Sequence, residues 1–300
     1  MYKKNILREY VHNSELRIFS EKLRVRLSKE LAEKYDNGAY NNYLKNMEKY
    51  FNMLNSLNIK YPANANPVLY IYIVPDDNFE DMLQIPKSFS GQKGGGKPVG
   101  CFDLDGFKSA YGVSQNLCEN RPIDITNIAR IENEIHELSH LIHDMFFSKN
   151  SIINEGIAEA IPLYVMGLED EFDEHREALL NMDESQIYSA SEILNQERNG
   201  IFGKDALLPN KSCSFRLSYI SSYLFVRGCL ETIENKFGLN KIDSLQYFLE
   251  LMKQSSYYED WLIYDIADTL DLGKDELLSG KSLQLEVVKN LSKNKNNKSI

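Results

Sequence analysis

Apolar residues recur at intervals of three or four positions through most of the first sixty residues, with charged side chains between them. This period is typical of amphipathic helices, which bury one face. The pattern predicts a helix over 14–35, with Ser14 as its N-cap, and a second helix over 40–57. The apolar positions are Leu16, Phe19, Leu23, Leu27 and Leu31 in the first helix, and Tyr43, Met47, Tyr50, Leu54 and Leu57 in the second.

The pattern changes between residues 60 and 105. Residues 68–74 read VLYIYIV, a short run of β-branched and aromatic side chains between Pro67 and Pro75. Such a run predicts a buried strand. Residues 90–98 carry four glycines and no large apolar side chain, which predicts a loop or hairpin tip that leads into a strand over 99–104.

Helical spacing returns over 125–147 and 152–166, and helical segments continue to about residue 289. The sequence therefore predicts an α+β fold, with N-terminal helices and a small mixed sheet followed by a mostly helical C-terminal part. We divide the chain into an N-terminal helical segment (1–60), an α/β half (61–150) and a helical C-terminal subdomain of the same catalytic unit (151–290). Residues 291–300 are rich in Lys, Asn and Ser, which predicts a disordered tail.

Composition narrows the class of protein. The chain has 300 residues, of which 43% are hydrophobic and 26% charged, as in a globular protein. Its net charge of -10 disfavours binding to nucleic acid. The four cysteines form no C-x-x-C pair and are predicted to be small buried apolar residues. Because the chain has neither an N-terminal apolar signal nor a run long enough to span a bilayer, we expect a cytoplasmic protein without a membrane span.

Residues 136–140 read His-Glu-Leu-Ser-His, the HExxH spacing. Side chains four residues apart lie on one face of a helix, so His136 and His140 can bind one metal ion together. Neutral imidazole suits Zn²⁺, and Glu137 is placed beside the open coordination position, where it can take a proton from water. The motif predicts a catalytic zinc site on this helix.

The HELSH motif is followed by Asn-Glu-Gly-Ile-Ala-Glu at residues 154–159. Together these segments resemble the gluzincin metallopeptidases, in which a glutamate on the helix after HExxH completes the zinc site. The resemblance implies a zincin-like fold, one catalytic zinc ion and a role for Glu155 as the third ligand. It covers residues 131–159 strongly and 219–238 weakly.

A second glutamate competes for the third-ligand position. Eighteen residues separate His140 from Glu159, the spacing common in the aminopeptidase branch of the family, whereas fourteen separate it from Glu155. The local N-E-G segment favours Glu155, and we choose it because a shorter connection between helices can absorb a change in spacing. Glu159 would then orient a ligand histidine.

The same resemblance implies a tyrosine that donates a hydrogen bond to the oxyanion formed on the attacked carbonyl. In the aminopeptidase branch this tyrosine begins a helix and is followed by a small residue three positions later. Tyr219 with Ser222 fits that arrangement, and Tyr223 is the second choice.

These features predict a zinc metallopeptidase that acts on peptides or proteins. The chain lacks the G-x-M-E-N segment with which aminopeptidases of this family hold a free amine, so an endopeptidase is favoured. Three alternatives stay open. They are a zinc-containing effector or binding protein with narrow or no proteolytic activity, a zinc hydrolase that acts on substrates other than peptides, and a structural helical protein that binds no stoichiometric zinc.

Overall fold

The computed structural model describes residues 10, 13–59, 68–78, 96–103, 106–120, 135–141, 151–168, 179–180, 182–201, 217–254 and 259–297. Over these residues the protein is α+β and mostly helical, with a small mixed sheet, so the predicted class is confirmed. The chain divides into two compact units, Met1–Leu141 and Ile142–Ile300.

The first unit contains a five-stranded sheet. Its strands are β1 (Ser14–Ile18), β2 (Leu23–Ser28), β3 (Leu69–Val74), β4 (Gly96–Asp103) and β5 (Gly106–Ser114), in the spatial order β1-β2-β3-β5-β4. The central strand β3 runs parallel to β2 and β5, while β1 and β4 pair antiparallel to their neighbours. All six residues of β3 are buried, which explains why this strand is a continuous apolar run rather than an alternating one.

Both predicted strands are present. The strand predicted over 68–74 is β3, and the one predicted over 99–104 is β4, which begins earlier, at Gly96. Pro98 lies in β4 at the edge of the sheet, where a missing backbone N–H is tolerated. Residues 90–95 of the predicted loop and Leu104 lie outside the described residues.

The helix predicted over 14–35 is wrong. That segment forms the antiparallel pair β1 and β2, and a helix, α1 (Lys29–Asp36), begins only after it. Leu23 and Leu27 satisfy a helical spacing, but Leu23, Val25 and Leu27 also alternate with polar residues, as in a strand. Pairing with β3 decides between the two, and all three side chains are fully buried. The N-cap is Ser28 rather than Ser14, since its side chain accepts a hydrogen bond from the Leu31 N–H.

The helix predicted over 40–57 is confirmed as α2 (Asn41–Ser56), and its predicted apolar positions Tyr43, Met47, Tyr50 and Leu54 are buried. A short helix, α3 (Gln115–Asn120), follows β5. Of the helix predicted over 125–147, the structure describes residues 135–141, which are helical and are called α4 here.

Among its described residues, the second unit contains helices and no strand. The helix predicted over 152–166 is α5 (Ser151–Ala160), which continues as a π-helical turn over Ile161–Val165. The remaining helices are α6 (Ala190–Arg198), α7 (Leu217–Phe237), α8 (Lys241–Gln254), α9 (Glu259–Leu270), α10 (Lys274–Ser279) and α11 (Ser282–Asn297). Most of α7 is buried, as expected for a helix that is apolar on nearly all faces.

The disordered tail predicted over 291–300 is wrong for most of its length, because α11 extends to Asn297. Val287 and Leu291 are buried and anchor this helix. Lysines in its last turns suit the negative end of the helix dipole, so the polar composition does not prevent helix formation. Residues 298–300 lie outside the described part.

Two further expectations from composition can be compared with the structure. Cys118 and Cys229 are buried free thiols, as predicted, while Cys213 and the side chain of Cys101 lie outside the described residues. Burial raises the pKa of both buried thiols. None of the described helices is both long enough and apolar enough to cross a membrane.

Candidate metal centre

Helix α4 places His136 and His140 one turn apart, with their imidazole rings in an edge-on arrangement. The two Nε2 atoms are 3.2 Å apart, and the ring planes lie at 85° with centroids 4.8 Å apart. His136 is buried and His140 is half-buried. The two nitrogens therefore converge on one point beside the helix.

This separation fits a shared metal ion. Zinc binds imidazole nitrogen at about 2.0–2.1 Å, so two nitrogens on a tetrahedral ion lie about 3.3 Å apart. The same separation also allows an N–H···N hydrogen bond when one ring carries its proton on Nε2. Metal binding would require both Nε2 atoms to be unprotonated, with the protons on Nδ1.

Glu155 completes a group that could hold a metal ion. One ligand atom from each of His136, His140 and Glu155 lies within 4.8 Å of the other two. This distance is longer than the separation of two ligand atoms on one tetrahedral zinc ion. Rotation about the side-chain bonds of Glu155 can bring its carboxylate oxygen closer to the two imidazole nitrogens. Of the two glutamates considered from the sequence, Glu155 is the one in this group, and Glu159 lies buried one turn further along α5.

Buried side chains on more than one face fix the rotation of α4. Ile135, Leu138 and Leu141 are buried, and the buried Ser139 hydroxyl donates to the Ile135 carbonyl oxygen at 2.7 Å. Rotation of α4 about its axis would expose these apolar side chains, so the helix keeps both histidines directed to the same side. The apolar spacing of the sequence thus orients the metal-binding face.

A close crossing of two helices positions Glu155. A Cβ built on the next residue, Gly156, would lie 2.4 Å from the Ser222 carbonyl oxygen and 2.4 Å from Cγ2 of Val226. Only glycine lets α5 and α7 approach this closely. The glycine of the N-E-G segment therefore has a packing role beside the candidate ligand.

Glu137 and Tyr219 are the two predicted catalytic residues. Both are half-buried, Glu137 on α4 and Tyr219 in the first turn of α7. Tyr219 lies three residues before Ser222, and therefore on the face of α7 that approaches α5. Tyr223, the second choice, is fully buried, and its hydroxyl accepts a hydrogen bond from Nη1 of Arg227 at 2.8 Å. Of the two tyrosines, Tyr219 is thus the one with exposed surface.

Sequence reasoning missed a polar cluster around Tyr164, in the π-helical turn after α5. Its hydroxyl donates to Glu234 at 2.9 Å, its carbonyl oxygen accepts from Lys241 at 3.0 Å, and the Arg227 guanidinium lies 4.6 Å from its ring centroid. Burial raises the pKa of both Tyr164 and Glu234. The cluster ties the end of α5 to α7 and α8. In the sequence, the only pattern that indicates part of this cluster is the i, i+4 spacing of Arg227 and Glu231 on α7.

Comparisons with protein-family models, with curated proteins and with solved structures gave no match to this chain. The function proposed below therefore depends on the residues of the candidate metal centre and their geometry. The likeness to gluzincins rests on sequence motifs alone.

Proposed function

We propose that this protein is a zinc-dependent metallopeptidase, and that it acts as an endopeptidase on a peptide or protein substrate. The observation that carries the proposal is the convergence of the His136 and His140 Nε2 atoms, 3.2 Å apart, with a Glu155 carboxylate oxygen in the same group. The HExxH spacing and the N-E-G segment support it from the sequence.

The donor set supports zinc as the ion. Two neutral imidazoles and one carboxylate are the ligands of one common type of catalytic zinc site, which leaves a fourth position for water or substrate. When bound, the ion would supply Lewis acidity towards a carbonyl oxygen and towards water. His136, His140 and Glu155 would hold it.

Two other side chains would move or stabilise charge. Glu137 would accept a proton from the attacking water and return it to the amine that leaves, as a general base and then a general acid. Tyr219 would donate a hydrogen bond to the carbonyl oxygen of the substrate, where negative charge grows in the transition state. Neither role requires a residue beyond those named.

An extended peptide substrate would need a strand of the protein with which its backbone can form hydrogen bonds. Strand β4 lies at one edge of the sheet, in the same unit as α4, and an edge strand can add a peptide strand through backbone hydrogen bonds. Binding of this kind holds a chain along its length rather than by its free amine. It is therefore consistent with endopeptidase action.

The test compares the wild-type chain with Glu137→Gln. We expect both to bind one zinc ion per chain, and only the wild type to cleave a peptide library, because glutamine cannot accept the proton. Full peptide cleavage by Glu137→Gln would refute its role as the general base.

The same preparations separate the alternative functions. Cleavage of ester substrates but of no library peptide would indicate a hydrolase of another class. Stoichiometric zinc with no hydrolysis of either substrate type would indicate a binding protein. A wild-type chain that binds no zinc would contradict the proposal altogether.

A further inference from the structure

Strand β1 forms the second edge of the sheet, and among the described residues no strand pairs with its outer side. Two apolar residues of β1 are exposed to solvent. The exposed fraction is 43% for Leu16 and 70% for Ile18. An edge strand with exposed apolar side chains can pair with a strand of another chain.

Hydrogen bonds at the β1–β2 turn show which backbone groups face outward. The Phe19 N–H donates to the Leu23 carbonyl oxygen at 3.1 Å, so residue 19 faces β2. Backbone groups of successive residues point to opposite sides of a strand, so residues 15 and 17 also face β2. Residues 14, 16 and 18 therefore face the outer edge. On the other side of β2, the Leu69 N–H donates to the Lys22 carbonyl oxygen, so residue 22 faces β3. This agrees with residue 23 facing β1.

We infer that this edge pairs with the same edge of a second copy of the chain, antiparallel and centred on Leu16. In that register Leu16 faces Leu16 of the other copy, and Ile18 faces Ser14. The outward-facing positions of one strand then meet the outward-facing positions of the other, as backbone pairing requires. The exposed apolar side chains of the two copies lie together on one face of the joined sheet.

Charge complementarity selects this register. Glu15 and Arg17 lie on the opposite face of β1, and they form an ion pair of 2.6 Å within one copy. Pairing centred on Leu16 places Glu15 of each copy opposite Arg17 of the other. Sliding the copies until residue 15 faces 15, or 17 faces 17, would place like charges opposite each other, which is unfavourable.

The surface area buried between the two β1 strands sets the expected affinity of the dimer. A pair of five-residue strands buries less than the roughly 1,200–2,000 Å² of a standard stable interface. We therefore expect a dimer that is weak and depends on concentration, forming in the micromolar to millimolar range.

The experiment is sedimentation equilibrium of the full chain over that range, with charge-reversal variants of β1. Glu15→Arg and Arg17→Glu each place like charges opposite each other twice across the twofold axis, so each should raise the dimer dissociation constant by about tenfold or more. The double variant Glu15→Arg with Arg17→Glu restores opposite charges and should return the constant to within about threefold of wild type. An equimolar mixture of the two single variants should form a heterodimer.

Thermal melts show whether each variant is folded. Should a charge reversal unfold the chain, Leu16→Lys replaces it, because this partly exposed side chain can be changed without opening the core and sets two lysines face to face. A wild-type chain that stays monomeric at every concentration would overturn the inference. So would a dimer that all the variants form as strongly as the wild type.

Discussion

At the scale of single residues, the chemistry of the candidate centre comes from three side chains and their neighbours. His136 and His140 offer nitrogen ligands from one helix face, and Glu155 offers an oxygen ligand from another helix. Glu155 and Glu159 are the same residue type one turn apart on α5, and they differ in burial. They therefore form a natural pair for a test of which one binds the ion.

We predict that Glu155→Gln loses stoichiometric zinc, because a neutral amide is a poor zinc ligand. Glu159→Gln should keep one zinc ion per chain with an affinity lower by roughly 10–100-fold, as is typical when a group that supports a ligand is removed. Isothermal titration with Zn²⁺ measures both. Loss of the site in Glu159→Gln together with retention in Glu155→Gln would reverse the assignment.

At the scale of secondary-structure elements, the crossing of α5 and α7 determines where Glu155 lies. Gly156 contacts the backbone of α7, which cannot move aside as a side chain can. Gly228, also on α7, instead meets the Leu283 side chain, with a built Cβ 2.5 Å from its Cγ. Substitutions of Gly156 and Gly228 can therefore be compared as a test variant and its control.

We predict that Gly156→Ala destabilises the fold by about 1–3 kcal/mol or more, because the added methyl group overpacks a helix contact. It should also lower zinc affinity, since α5 must move away from α7. Gly228→Ala should leave zinc affinity unchanged, because its clash lies with a side chain that can rotate. Urea denaturation and zinc titration of both variants test this. Zinc affinity that falls equally in both variants would contradict the positioning role of Gly156.

The elements also show what could be predicted from sequence. Helix α2 was predictable because its apolar residues follow one helical period, and strand β3 because its short run of β-branched and aromatic residues lies between Pro67 and Pro75. The segment with β1 and β2 was not, since Leu23 and Leu27 fit both a helix and a strand and only pairing with β3 decides. At the centre, the HExxH spacing predicted the histidine pair, and the N-E-G segment predicted Glu155. The packing role of Gly156 and the cluster around Tyr164 depend on contacts between distant helices, which no local pattern encodes.

At the scale of the whole molecule, carboxylates held by ion pairs and hydrogen bonds make stability depend on pH. Glu119 on α3 is one such carboxylate. Partial burial opposes its ionisation, but the hydrogen bonds from Lys34 at 2.8 Å and Gln115 at 2.9 Å outweigh it and lower its pKa. Near the ordinary pKa the unfolded chain therefore binds more protons at this position than the folded chain does.

We predict that Glu119 stabilises the fold at neutral pH and that this contribution falls as the pH falls through the ordinary glutamate pKa towards the lowered one. The difference in unfolding free energy between wild type and Glu119→Gln should shrink over that interval. Lys34→Met should show a smaller pH dependence for the same reason. Urea denaturation between neutral pH and pH values below the glutamate pKa measures all three chains. A difference that grows on acidification would contradict the sign.

The most direct measurement is an anomalous difference map, recorded at the zinc absorption edge from crystals of the full chain grown with zinc. We predict one peak about 2.0–2.1 Å from Nε2 of both His136 and His140, with a carboxylate oxygen of Glu155 about 2.0–2.2 Å from it. Crystals without a peak beside the two imidazoles, or with a peak there that only Glu159 completes, would contradict the proposed centre.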